Sequence, residues 1–231
     1  MSNFSLPLLE WLDIPAGQVT LAGDAGTFDV QPFKIAKCPV TNAQFDAFIQ
    51  DGGYKNESWW EGLAEMVKSP RRSDWVEADC PKLEVNWFEA MAFCRWLAHQ
   101  TGLDVRLPTE WEWQWAAVGD SGWDYPYGLA FDGDQCNTKD CGIGRTNPVT
   151  AYAAIPTHFG TVDMSGNVWE WCLNEGLHPE NRQLEGIENR ALHGGSWNNA
   201  LKNADATFRG HRTPKTRAFN IGFRVIAAPS P

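Results

Sequence analysis

His193-Gly194-Gly195-Ser196-Trp197 and Asn220-Ile221-Gly222-Phe223-Arg224 are two rigid phrases near the end of the chain. Each combines glycine, which reaches backbone conformations closed to other residues, with a large aromatic suited to burial. Between them, Asn198 to Phe219 shows neither helical nor strand periodicity and mixes unlike side chains. The brackets carry the fold, and the insert decides between catalysis and binding.

Working outward, the chain has 231 residues, enough for one sizeable core. Thirteen Trp and twelve Phe make that core aromatic, while 21 Gly and 14 Pro predict many turns and few long elements. A net charge of −10 argues against general nucleic-acid or anionic-membrane binding, which needs clustered Lys and Arg; Lys202 to Arg217 is one candidate for a locally basic patch. Met1 to Pro7 lacks the charged start and apolar run of a secretory signal, and nothing approaches the ~20 apolar residues of a membrane span. The expectation is a cytoplasmic protein whose six Cys (38, 80, 94, 136, 141 and 172) are mostly reduced.

Local signals give the organisation. Gln18–Leu21 and Thr27–Val30 read as a hairpin, and Phe33–Cys38 as a strand closed by Pro39. Thr41 with Gln44, Asn86 with Glu89, and Thr109 with Glu112 each match a capping box, so three helices are predicted. Phe45, Phe48 and Ile49 line one face of the first; Trp87, Met91, Cys94 and Leu97 recur along the second, which Gly102 ends. Tyr54 to Pro81 reads as an irregular excursion, and the chain from Ala117 to about residue 160 as loops. Short strands are expected near Val168–Cys172, Arg190–His193 and Phe223–Ala227. No repeat or linker divides residues 1–231.

Four phrases now stand in order: Pro39-Val-Thr-Asn42, Arg106-Leu-Pro-Thr-Glu-Trp-Glu-Trp113, Gly166-Asn-Val-Trp-Glu-Trp171, and the His193–Trp197 phrase paired with Gly222-Phe-Arg224. Over Trp11 to Val225 the chain resembles the formylglycine-generating-enzyme (sulfatase-modifying factor) family. The resemblance implies an α+β, C-type-lectin-like single domain with two main helices, short strands and much irregular structure. It leaves function open, because one fold carries many functions. Members include copper-dependent oxidases that convert a peptide cysteine to formylglycine. Others are iron-dependent sulfoxide synthases with an extra helical domain, or the variable proteins of diversity-generating retroelements.

The chemistry of each alternative can be weighed. Copper oxidation needs two soft thiolates; the resemblance places that Cys-x4-Cys pair at Asn203 and Phe208, which offer none. The chain's own Cys136-x4-Cys141 precedes the Gly-Asn-Val-Trp phrase; its functional reading is a metal or redox pair, and the favoured one a loop pair without chemistry or a facultative disulfide. Iron needs clustered His, whereas His99, His158, His178, His193 and His211 are scattered. Copper and iron are therefore not expected as cofactors. Asn167, the Val168 carbonyl and Glu170 offer hard oxygens suited to calcium. The competing reading has Asn167 holding a turn while Glu170 pairs with a buried arginine such as Arg106 or Arg224.

For the variable proteins, the resemblance implies an insert patterned on an Asn-rich template in which selected Asn positions are diversified. Asn198, Asn199, Asn203 and Asn220 are then template-like, and Arg209, Thr213-Pro214 and Arg217 are framework. The ligand-binding positions become Ala200, Lys202, Asp205, Phe208, Gly210, His211, Arg212, Thr216, Ala218 and Phe219. Phe208, His211, Arg212 and Phe219 supply the aromatic and guanidinium anchors that dominate interface energy. The favoured expectation is a binding protein displaying residues 198–220 to a protein or other macromolecular ligand. The alternative is a formylglycine-generating-type, metal-dependent oxidoreductase acting on a peptide cysteine or thiol.

Overall fold

Three helices grow from the three capping boxes. Their N-caps are Thr41, Asn86 and Thr109, and each third helical residue reaches back to the cap backbone. In this computed structural model, which describes residues 8–228, they are α1 (Asn42–Gln50), α2 (Trp87–Thr101) and α3 (Glu110–Val118). The Met1–Pro7 reading and the outer limits of the 1–231 domain lie outside the described residues. Gly102 ends α2 at φ 71°, a left-handed conformation that costs glycine nothing.

Ten short strands complete the fold: β1 (Trp11–Ile14), β2 (Gly17–Thr20), β3 (Thr27–Val30), β4 (Phe33–Ala36), β5 (Asp104–Arg106), β6 (Trp169–Glu175), β7 (Arg190–His193), β8 (Gly210–Arg212), β9 (Ile221–Gly222) and β10 (Ile226–Ala228). One sheet runs β1-β4-β10-β5, so the last described strand lies between strands from the first half of the chain. The hairpin β2–β3 stands apart. A second sheet, β8-β7-β6-β9, is antiparallel except for the parallel pair β6–β9. Four strands escape the sequence reading: β1, β5 and β9 are only two to four residues long, and β8 lies inside the seemingly patternless insert. The insert also contains a single 3-10 turn at Leu201–Asn203.

The core is aromatic, as the composition predicts. Phe45 and Phe48 of α1 meet Phe93 and Trp96 of α2, with Phe223 edge-on to Phe45 and Phe93. A second cluster joins Trp111, Trp113 and Trp115 of α3 to Ile14, Val19, Val30 and Ile226. Buried indole N–H groups need acceptors; Trp87 donates to the Cys172 carbonyl and Trp171 to that of Val85.

A fully buried ion pair ties these layers together. Arg224 donates through Nε and Nη2 to Glu170 at 2.7 and 2.8 Å, and also to the carbonyls of Ala36, Lys37 and Val162. Trp113 Nε1 donates to the same carboxylate at 2.7 Å. Each oxygen of Glu170 is thus taken by a cation or a donor, which removes the carboxylate from a calcium set. Asn167 has φ 61°; its Nδ2 donates to Asp163 at 3.0 Å and its Oδ1 accepts from the Asn147 amide at 3.2 Å. The side-chain oxygens of Asn167 and Glu170 do not fit a calcium set that would also use the Val168 carbonyl, because they are committed to a turn and a buried arginine.

Candidate functional site

The insert is pinned by two arginines that turn inward. Arg209 donates through Nε and Nη2 to Glu110 at 2.7 and 2.9 Å, and Nη2 also reaches the Gly176 carbonyl at 2.8 Å. Arg217 donates through the same two atoms to Glu89, both at 2.7 Å, and reaches the Ser69 carbonyl at 2.9 Å. Both carboxylates are essentially buried, and both belong to first turns of helices, α3 and α2. Tyr54 donates to Glu89 as well. Burial opposes ionisation of Glu110, but hydrogen bonds from His193 and Arg209 outweigh it and hold the carboxyl below its ordinary value of 4.5. Between the clamps, Pro214 accepts from the Trp87 amide at 3.1 Å, and just past the second, Ala218 accepts from the Glu84 amide at 3.2 Å.

The template-like asparagines close the first turn of the insert. Asn199 Oδ1 accepts from Trp169 Nε1 at 2.8 Å and from Asn220 Nδ2 at 3.3 Å, while Asn220 also donates to Ser196 Oγ at 3.0 Å. The turn needs glycine before it. Gly195 sits at φ +70°, and a Cβ there would stand 2.7 Å from the Asn203 carbonyl oxygen.

Held this way, the insert curls over β7 and β6 and leaves a recess of about 300 Å³. Phe208, Gly210, His211, Arg212, Thr216 and Ala218 line it, with Trp169, Leu192 and Ile221 beneath. These six are the majority of the ten positions expected to bind ligand. Asn203 and Phe208, matched by resemblance to copper-holding cysteines, line the same recess. Phe208 is half-buried, its ring 6.0 Å from that of Trp169. Gly210 carries no side chain where a Cβ would meet the Trp169 ring at 3.2 Å. Gly210, His211 and Arg212 form β8, the edge strand of its sheet.

The other four positions lie elsewhere. Ala200 and Lys202 are exposed beside the 3-10 turn. Asp205 is taken up locally, accepting from the Thr207 amide at 2.7 Å and its hydroxyl at 2.8 Å. Phe219 is 46% exposed, its ring 5.6 Å from that of Trp197. The sequence reading missed Trp169 and Leu192 as the floor, and Glu89 and Glu110 as anchors. Glu89 was already accounted for by its capping box, and Glu110 lay unremarked inside the Arg106–Trp113 phrase.

Among the described residues, no group of three His, Cys, Asp or Glu is placed to hold a metal ion. His99 packs on Trp59, His158 on Phe159 and His193 on Trp113, while His211 faces the recess. Cys136 and Cys141 are free thiols with sulfurs 4.0 Å apart. No helix among the described residues is long and apolar enough to cross a membrane.

Comparison with known proteins places these features. The family model described as "Sulfatase-modifying factor enzyme 1-like domain" matches residues 6–229. The chain is 28% identical to the inactive C-alpha-formylglycine-generating enzyme 2 of Mus musculus, covering 89% of this chain and 78% of that protein. It is 33% identical to the hercynine oxygenase of Mycolicibacterium thermoresistibile, over 87% of this chain. The chain spans only 52% of that oxygenase's length. Among solved structures it is similar to Treponema denticola variable protein 1, with TM-score 0.73, 19% identity and 98% of each chain covered. It is equally similar in fold to PvdO from Pseudomonas aeruginosa, with TM-score 0.75, 21% identity and 95% and 94% of the chains covered.

Proposed function

The chain belongs to the sulfatase-modifying factor enzyme 1-like family, and from that footing we propose that it is a binding member, displaying residues 198–220 to a protein or other macromolecular ligand. One observation carries this reading: the insert separates anchoring from display. Arg209 and Arg217 are spent on buried carboxylates, while Phe208, His211 and Arg212 face the recess. Side chains that face the recess without anchoring the fold can change, and the backbone keeps its course.

Oxidation of a thiol finds no support at the matched positions, since Asn203 and Phe208 supply no sulfur. The similarity in fold to a variable protein suits diversification by a retroelement. That reading expects a reverse transcriptase and a near-copy of the insert, differing at adenines, in the neighbouring DNA. Six free thiols suit a reducing, cytoplasmic setting.

The direct test randomises positions 211, 212, 216 and 219 together and measures folding of the resulting pool. Most members should melt cooperatively within about 5 °C of the parent, because Arg212 and Phe219 are exposed and His211 and Thr216 partly so, and surface positions that anchor nothing typically contribute within about ±0.5 kcal/mol each. General loss of folding would make these side chains core and defeat the reading. Turnover of a cysteine-containing peptide by the metal-loaded protein would favour the oxidoreductase instead.

A further inference from the structure

We infer that the recess takes an acidic protein segment, one that presents a carboxylate beside an aromatic side chain. This rests on the binding-surface reading above and names the class of its partner.

Charge is the first argument. Between Asn198 and Asn220 stand five Lys or Arg and a single acid, Asp205, a local charge of +4 in a chain of −10. No Asp or Glu lines the recess. Three of the five cations are already neutralised, Arg209 by Glu110, Lys215 by Glu65 and Arg217 by Glu89. Arg212 is exposed, and among the described residues it makes no ion pair; Nη1 donates to the carbonyl of its neighbour His211 at 2.8 Å. That leaves the rest of a planar fork of donors, which matches a carboxylate in a bidentate pair. Exposed Lys202, also without an ion pair among the described residues, lies one position from the lining residue Asn203.

The apolar half of the ligand follows from the floor. Because Gly210 adds no side chain, the Trp169 ring is open to the recess, with the Phe208 ring beside it. Two aromatic faces at the edge of a small recess favour a third ring over an aliphatic chain. Among the described residues β8 also leaves one edge without a strand partner, which suits an extended peptide laid alongside it. A polynucleotide fits less well. Phosphate binding needs a row of free cations, and of the insert's five only Arg212 and Lys202 stand without an ion pair among the described residues, in a strongly acidic protein.

The test pans the full chain against short random peptides displayed on phage, then measures the recovered peptides against parent, Phe208→Ala, Arg212→Lys and Arg212→Glu proteins. Melting curves confirm that each variant folds. Recovered sequences should pair Asp or Glu with Phe, Tyr or Trp. Arg212→Glu should weaken them by about tenfold or more, Arg212→Lys less, and added salt should weaken the parent complex. Peptides that depend on Phe208 but are neutral or basic, or that ignore Arg212→Glu, overturn this inference and leave the binding-surface reading standing. Failure to recover any peptide sensitive to these substitutions overturns both.

Discussion

Arg209 and Arg212 stand three residues apart in the insert, and the structure gives them opposite consequences. Arg209→Leu deletes charge-assisted hydrogen bonds of 2.7, 2.8 and 2.9 Å. Glu110 would be left buried, with His193 and Asn174 as partners. Removing one side of a buried pair costs about 3–5 kcal/mol. Arg209 retains 18% side-chain exposure and Glu110 keeps other donors, so about 3 kcal/mol is the working figure. At ~2–4 °C per kcal/mol for a chain of this size, the melting midpoint should fall by about 6–12 °C. Arg212→Leu, at an exposed side chain without an ion pair among the described residues, should stay within about 0.5 kcal/mol. Thermal melts and urea titrations of both variants give the comparison. Adding Glu110→Gln to Arg209→Leu should cost less than the two changes summed, because the uncompensated charge goes. Equal losses for the two arginines, or less than about 1 kcal/mol for Arg209→Leu, would refute the separation of anchor from display.

Three further outcomes follow from the same geometry. Gly195→Ala combines a left-handed backbone with a Cβ 2.7 Å from a carbonyl oxygen, and should cost about 3 kcal/mol or more in urea unfolding; a loss under about 1 kcal/mol would show that the turn relaxes. Phe208→Ala should cost about 1–2 kcal/mol, below the value for a fully buried Phe, since the ring is half-buried against Trp169. Its melting shift should therefore fall between those of Arg212→Leu and Arg209→Leu. For pH, the Glu110 carboxyl is held below 4.5 in the fold, so its contribution is present above that value and lost as pH falls through the folded value. Acid titration of stability should show this loss, and Glu110→Gln should remove up to about 1.4 kcal/mol per pH unit from the slope below pH 4.5; an unchanged slope would deny Glu110 that role.

What could be read from the sequence was local. Thr41–Gln44, Asn86–Glu89 and Thr109–Glu112 each declare a helix start within four residues, and all three do so in the structure. The β2–β3 hairpin is equally local. β1, β5, β8 and β9 gave no signal because two to four residues carry too little period; their partners, β4, β10, β7 and β6, define them. At the site, the framework role of Arg209 and Arg217 came from resemblance, but their acids could not be paired with them by spacing. Glu110 and Glu89 lie 99 and 128 residues away. Asp205 was grouped with the binding positions because sequence cannot distinguish a displayed carboxylate from one folded onto Thr207.

Those two sequence separations have a kinetic meaning. A clamp spanning 99 or 128 residues closes a long loop, and that entropy is spent before the contact returns anything. The insert should therefore lock late, after α2 and α3 have formed. Contacts made after the rate-limiting step change how fast a protein comes apart while hardly touching how fast it assembles. A chain built this way can carry a new surface through synthesis at the old speed, and it registers the change afterwards as a shorter lifetime of the folded state.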